Sequence, residues 1–167
     1  MESLKINKVQ IRNLQIEDYT QLSQSFKRVY SDGSDVFWTH KQIEKLIKIF
    51  PEGQIVTVVD EKIVGCALSI ILDYDKVKND HTYAQVTGKE TFDTHNPDGN
   101  ILYGIEVFIH PDYRGLRLAR RMYEYRKELC ETLNLKAIMF GGRIPTYHKY
   151  ADKIRPKEYI DKFFNLF

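Results

Sequence analysis

From Val9 to Leu14 the chain alternates apolar and polar side chains (V-Q-I-R-N-L), the period of a half-buried strand. Tyr19, Leu22, Phe26 and Val29 then recur at helical spacing. A second helix is predicted to open at Thr39, with Gln42 completing a capping box. Its apolar face is Ile43, Leu46, Ile47 and Phe50, and Pro51 stops it. Two β-branched runs, Gln54 to Asp60 and Lys62 to Leu72, are joined tightly at Asp60-Glu61 and read as an antiparallel hairpin. Ile101 to His110 is a further strand, ended by Pro111. The stretch between them, Asp73 to Asn100, is polar and turn-rich and reads as lying outside the core, a binding loop or a disordered one. A long helix comes next, from Leu116 to Leu133, with Leu118, Met122, Leu129 and Leu133 along one face. Lys136 to Phe140 is a short strand broken by Gly141-Gly142, and helices are expected over Thr146–Lys153 and Pro156–Phe164. The order is mixed α/β, with one clear strand–helix–strand crossover from Ile101 to Phe140.

Composition adds little to that picture. At 167 residues, 43% apolar and 29% charged, the chain is one ordinary domain with a core large enough to need neither metal nor disulfide. No apolar run approaches the ~18 residues of a membrane span, and the first residues lack the apolar stretch of a signal peptide. The reading is a cytoplasmic protein with no membrane partner. Cys66 and Cys130 sit in apolar stretches and are expected to be buried free thiols. His81 and His95 are candidates to line a pocket in the long loop, while His110 and His148 lie near the basic segment and the last helix; none has metal-ligand spacing, so no metal is expected.

Charge is more informative. The net charge is +2, yet six bases (Arg114, Arg117, Arg120, Arg121, Arg126, Lys127) fall within Tyr113–Lys127 beside a single acid, Glu124. That segment comes after a strand and opens a helix, where unpaired N–H groups and the positive dipole end favour an anion such as a phosphate. The competing reading is a solvated basic helix face. Neither a Walker loop nor a Rossmann fingerprint is present. Nucleic-acid binding is disfavoured, because the basic stripe is confined to one helix.

A strand, then Pro-x-Tyr-Arg-Gly-x-x-x-Ala, then a long helix resembles motif A of the GNAT acetyltransferases, [RQ]-x-x-G-x-[GA]. Arg114 and Ala119 match its first and last positions, and Arg117 replaces the usual glycine at the fourth. Phe140-Gly141-Gly142-Arg143-Ile144-Pro145 and Tyr147-His148-Lys149-Tyr150, taken with Arg114–Leu118, resemble the acetyltransferase-like domain that precedes nitrilase-type carbon–nitrogen hydrolases. No second domain is expected here, so amidase chemistry is not carried over. The resemblance implies a single GNAT-fold domain over residues 1–167, a mostly antiparallel mixed sheet flanked by helices. It also implies acetyl-CoA as cosubstrate and an amine of a small molecule or peptide as acceptor.

On the same resemblance, Val107, Phe108 and Ile109 would hold the pantetheine arm, and Arg114, Gly115, Leu116, Arg117, Leu118, Ala119 and Arg120 the pyrophosphate. The splay between the Ile101 and Lys136 strands would admit the thioester. Glu106, a lone carboxylate in an apolar strand, is the candidate base; the alternative is a carboxylate turned to solvent or bridged to an arginine. Tyr150, or else Tyr147, is the candidate acid, unless both are packing residues.

Members of the family end in two further strands that this sequence does not show. The Lys136–Phe140 strand is therefore expected to have an open edge, covered by a second copy in a homodimer or by further chain in a longer parent. The apolar tail Phe163–Phe167 fits either. The alternative function is a non-catalytic CoA-binding or partner-binding module.

Overall fold

The computed structural model describes residues 6–30, 37–142, 144 and 146–163. Five strands form a single sheet in the order β1 (Val9–Asn13), β2 (Ile55–Val59), β3 (Lys62–Leu72), β4 (Ile101–Ile109), β5 (Ala137–Phe140). Every neighbouring pair is antiparallel except β4–β5, which is parallel. That one parallel pair is what the crossover requires, since it returns the chain to the same end of the sheet. The expected mostly antiparallel mixed sheet is present.

The helices cover both faces because each has one apolar stripe to bury. On one face lie α1 (Tyr19–Val29), burying Leu22 and Phe26, and α2 (His40–Ile49), burying Ile43 and Leu46. Thr39 and Gln42 form the expected capping box. Two short helices, α3 (Tyr74–Val77) and α4 (Tyr83–Val86), lie between β3 and β4. On the other face lies α5 (Leu118–Thr132), which buries Leu118, Met122, Arg126 and Cys130. Leu133, expected on that stripe, is 40% exposed. The period i, i+4, i+8, i+12 from Leu118 instead brings an arginine into the core. Asp60 and Glu61 both take left-handed backbone (φ 44° and 69°), the geometry of a two-residue hairpin turn.

Two expectations fail. The polar stretch from Asp73 to Asn100 is partly core, and with α3 and α4 it buries Val77, Val86, Thr87 and Phe92. α4 carries its own capping box, Thr82 with Gln85, the same signal that marks α2. Phe92 packs against the Trp38 ring at a centroid distance of 5.2 Å.

The helix expected over Thr146–Lys153 is only a 3₁₀ turn at Tyr147–Lys149. Thr146 is left-handed (φ 60°), and the turn is tied to residues further along the chain. The Tyr147 hydroxyl donates to the Ile154 carbonyl at 2.8 Å, and the Thr146 and Tyr159 hydroxyls are 2.6 Å apart. The segment folds onto α6 (Pro156–Phe163) rather than extending as a helix. The tail beyond Phe163 lies outside the described residues.

β5 pairs with β4 on one side, and among the described residues no strand runs along its other edge. Ala137 and Phe140 are exposed there.

Phe92 tests the core status of the long segment. Phe92→Ala should cost about 3–5 kcal/mol in urea unfolding, whereas a surface loop residue would lose almost nothing.

Candidate active site

β4 and β5 are paired only from Ile101–Gly104 to Ala137–Phe140. Beyond that point the chain leaves β5 at Gly141-Gly142, and among the described residues no strand continues beside β4. The splay opens into a cleft of about 1010 Å³. Gly104 to Val107 and Phe140 to Gly142 form its sides, Tyr123 of α5 lies on one face of the sheet, and Phe26, Tyr30, Trp38 and Tyr83 line it on the other.

A β-bulge decides what faces this cleft. Leu68 pairs with Glu106 and Ser69 with Gly104, so Ile105 is an extra residue in β4. Before the bulge, Ile101 and Tyr103 point into the core under α1 and α2; after it, Phe108 does. Leu102, Val107 and Ile109 point to the α5 side. The extra residue thus switches the parity of the strand and brings Glu106 to the α1 side. There its carboxylate accepts from its neighbour's backbone, Val107 N–H, at 3.1 Å, and the Tyr30 hydroxyl lies 3.4 Å away. Tyr83 donates its hydroxyl to the carbonyl of the bulged Ile105 at 2.7 Å. Burial raises the Tyr83 pKa, and the charges of Glu106 and Glu90 raise it further, so this phenol keeps its proton.

Arg126 lies under the bulge on the α5 side and is 2% exposed. Nη2 donates to the carbonyls of Leu68 (3.0 Å) and Glu106 (3.4 Å). Gly104 leaves room for it, since a Cβ at that position would come within 3.1 Å of Nη1. The guanidinium sits 5.7 Å from the Tyr123 ring centre.

At the start of α5, Gly115 is left-handed (φ 83°) with open space where a Cβ would stand. Arg117, in the place the family pattern gives to glycine, is also left-handed (φ 56°) and caps the helix without a side-chain hydrogen bond. The backbone path is therefore kept although the glycine is absent. Arg114, Leu116, Arg117, Ala119, Arg120 and Arg121 surround this turn; Leu116 is 39% exposed, and Arg120 is paired to Glu124 at 3.0 Å. Leu118 is different. Its side chain is buried against Val59 and Val64, leaving only its backbone for a ligand. Val107 and Ile109 are half-buried on β4 and Phe108 is buried.

The chain belongs to the acetyltransferase (GNAT) family. The family's sequence pattern matches residues 10–149. Among curated proteins of Bacillus subtilis (strain 168), the chain is 36% identical over 155 residues to the probable hydrolase YhcX, covering 93% of this chain and 30% of YhcX. It is 32% identical over 127 residues to the uncharacterized N-acetyltransferase YkwB, covering 76% of this chain and 56% of YkwB. The chain thus spans about a third to a half of these relatives. The likeness to part of a hydrolase accords with the resemblance to an acetyltransferase-like domain that precedes one.

Among solved structures, the loading GNATL domain of CurA from Lyngbya majuscula superposes with a TM-score of 0.76 at 23% identity, covering 93% of this chain and 75% of that one. The GphF GNAT-like decarboxylase in complex with isobutyryl-CoA gives 0.72 at 16% identity, covering 91% and 75%. At these identities the two show the shared fold.

The structure brings Glu106, Val107 and the α5 start of the GNAT domain to one sheet end, but it does not bring Tyr147 or Tyr150 to the cleft. Tyr147 is spent on the Ile154 carbonyl, and Tyr150 packs on Tyr159 and Phe163 (centroids 5.2 and 5.1 Å). The tyrosines that line the cleft are Tyr30, Tyr83 and Tyr123. One sequence signal for this was available: Gly104, a glycine inside a strand, marks a bulge or a close approach.

His81 and His95 line a separate cavity of about 630 Å³ under the long segment, not the main cleft. His81 Nε2 lies 3.0 Å from the Tyr103 hydroxyl, and His95 Nδ1 accepts the Ile71 N–H at 3.1 Å. Among the described residues no cluster of metal-binding side chains occurs.

Arg117→Gly relieves an L-residue of left-handed strain, which is worth roughly 1–2 kcal/mol before the added chain entropy of glycine. It should raise the urea midpoint, and a fall would show that the arginine side chain is structurally engaged. Burial lowers the His95 pKa, so as pH falls the unfolded chain binds the proton first. Stability should therefore fall as pH drops below about 6.5. His95→Asn, which keeps an acceptor for Ile71, should flatten that fall in pH-dependent melting.

Proposed function

We propose that the domain transfers an acetyl group from acetyl-CoA to the amine of a small molecule or peptide by direct attack. The observation that carries this reading is the bulged, splayed β4, which presents Glu106 to the cleft and leads at its end into the arginine-rich start of α5. The edge of β4 from Ile105 to Ile109 would pair with the pantetheine amides as an added strand does. The first turn of α5, with Arg114, Gly115, Arg117 and Arg120, would take the pyrophosphate through N–H groups and positive charge. The residues fit such a group: Gly115 leaves open space, and Arg117 holds the turn without crowding it. That GphF, a structural neighbour, was solved with isobutyryl-CoA supports an acyl-CoA donor.

Glu106 is the base in this reading. It takes a proton from the incoming ammonium, freeing the nitrogen lone pair for the thioester carbon. Tyr123, on the α5 side of the splay, takes the acid role in place of Tyr150 and Tyr147. The aromatic wall of Phe26, Tyr30, Trp38 and Tyr83 receives the acceptor. Two unpaired cysteines fit a cytoplasmic location, and pairing of two copies along the open edge of β5 would give a homodimer. A second reading, a CoA-binding or partner-binding module without turnover, draws on Arg117 in place of glycine.

Glu106→Gln separates the two readings. An enzyme should lose about 10²–10⁴-fold in turnover while a saturating acetyl-CoA thermal shift stays unchanged, ~2.7 kcal/mol at a hundredfold excess over Kd. Thermal stabilisation by acetyl-CoA with no thiol release for any amine would favour the module.

A further inference from the structure

A buried cation with donors to spare needs a reason, because desolvating it is costly unless its hydrogen bonds are made. Arg126 has one nitrogen engaged, Nη2, on the Leu68 and Glu106 carbonyls. Nε and Nη1 have no hydrogen-bond partner among the described residues. Pairing the two carbonyls accounts for Nη2 alone and leaves Nε and Nη1 without a structural use. The position is what distinguishes it. Nη1 lies against Gly104, the last residue of β4 paired with β5, and the same guanidinium faces the ring of Tyr123. Gly104, Tyr123 and Phe140 all line the cleft where the strands part.

We propose that Arg126 stabilises the negative charge on the departing CoA sulphur, a role that rests on the acyltransferase reading. In that step the amine nitrogen bonds to the thioester carbon, the carbon–sulphur bond breaks, and its electron pair leaves on sulphur. Of the two protons the ammonium sheds, one passes through Glu106 to water. Sulphur takes up the equivalent of the other from Tyr123, which is reprotonated from solvent. A guanidinium stays charged at every accessible pH, and in a site shielded from water its field on a nearby anion is only weakly screened. The other titratable groups near it are the Tyr123 phenol, the Cys66 and Cys130 thiols and, through the sheet, the Glu106 carboxylate. Burial raises both thiol pKa values, and that of Cys66 strongly, so neither competes as an anion. This accounts for the glycine at 104 as well: any side chain there would crowd the cation.

The test reads the sulphur itself and needs no turnover. Coenzyme A bound to the intact protein is titrated by the ultraviolet absorbance of its thiolate, in wild type, Arg126→Met and Arg126→Lys. Wild type and Arg126→Lys should hold at least tenfold more bound thiolate than free coenzyme A at the same pH. Arg126→Met should lose that excess while keeping its coenzyme A affinity within about threefold. Equal thiolate fractions in wild type and Arg126→Met would overturn the role of Arg126 and leave the acyltransferase reading standing. Failure of wild type to bind coenzyme A or acetyl-CoA in isothermal titration would overturn both. Should Arg126→Met not fold, Gly104→Ala gives the second reading, because its Cβ crowds Nη1. Loss of the thiolate excess in that variant supports the proposal, and its retention with Nη1 displaced overturns it.

Discussion

The guanidinium of Arg126 bonds to two carbonyls, Leu68 on β3 and Glu106 on β4, at the point where these strands fall out of step. Much of the site depends on that contact. A bulge leaves carbonyls without their ladder partners, and buried carbonyls must be paired. An arginine reaching from α5 meets that need and fixes the bulge at Ile105. The bulge in turn sets the parity of β4, so that Glu106 and Phe108 share the α1 side while Val107 and Ile109 face α5. Gly104 is the remaining part of the same arrangement, small because the cation lies against it.

The parting of β4 and β5 is a second consequence of local geometry. β5 has four residues, all paired with β4, and then Gly141-Gly142 carries the chain away. β4 runs on from Ile105 to Ile109 past the last pair, offering backbone on one side. A strand edge left this way is a hazard in most proteins; in the acyltransferase reading it is the surface proposed for an extended, amide-bearing arm. The α5 start stands at the far end of this edge. Its left-handed Arg117 shows that a glycine position in a family pattern records a backbone angle, which an arginine can also hold at a cost.

The long segment between β3 and β4 illustrates how a polar stretch enters a core. Its apolar residues are few and widely spaced, so no period marks them. Val77, Val86 and Phe92 are buried because α3, α4 and the turns between them fold over the sheet beside Trp38. The Thr82–Gln85 capping box was a readable sign that this segment has structure, since it satisfies the first N–H groups of a helix as Thr39–Gln42 does.

The five strands, α1, α2, α5 and α6, the α2 cap, the hairpin at Asp60-Glu61 and the crossover from β4 to β5 were set by the sequence alone, because period, capping and turn chemistry are local. The match of Arg114–Ala119 to a family pattern was legible for the same reason: the turn it describes is contiguous. Which face of β4 Glu106 occupies was not, since one inserted residue reverses every later side chain and its place depends on pairing with β3. The burial of Arg126 was hidden too, because in sequence it is one base among six. The contacts of Tyr147 and Tyr150 were not legible either, because their partners, Ile154, Tyr159 and Phe163, lie beyond them in and around α6. Only tertiary packing decides which hydroxyl is spent inside the fold and which is left facing the cleft.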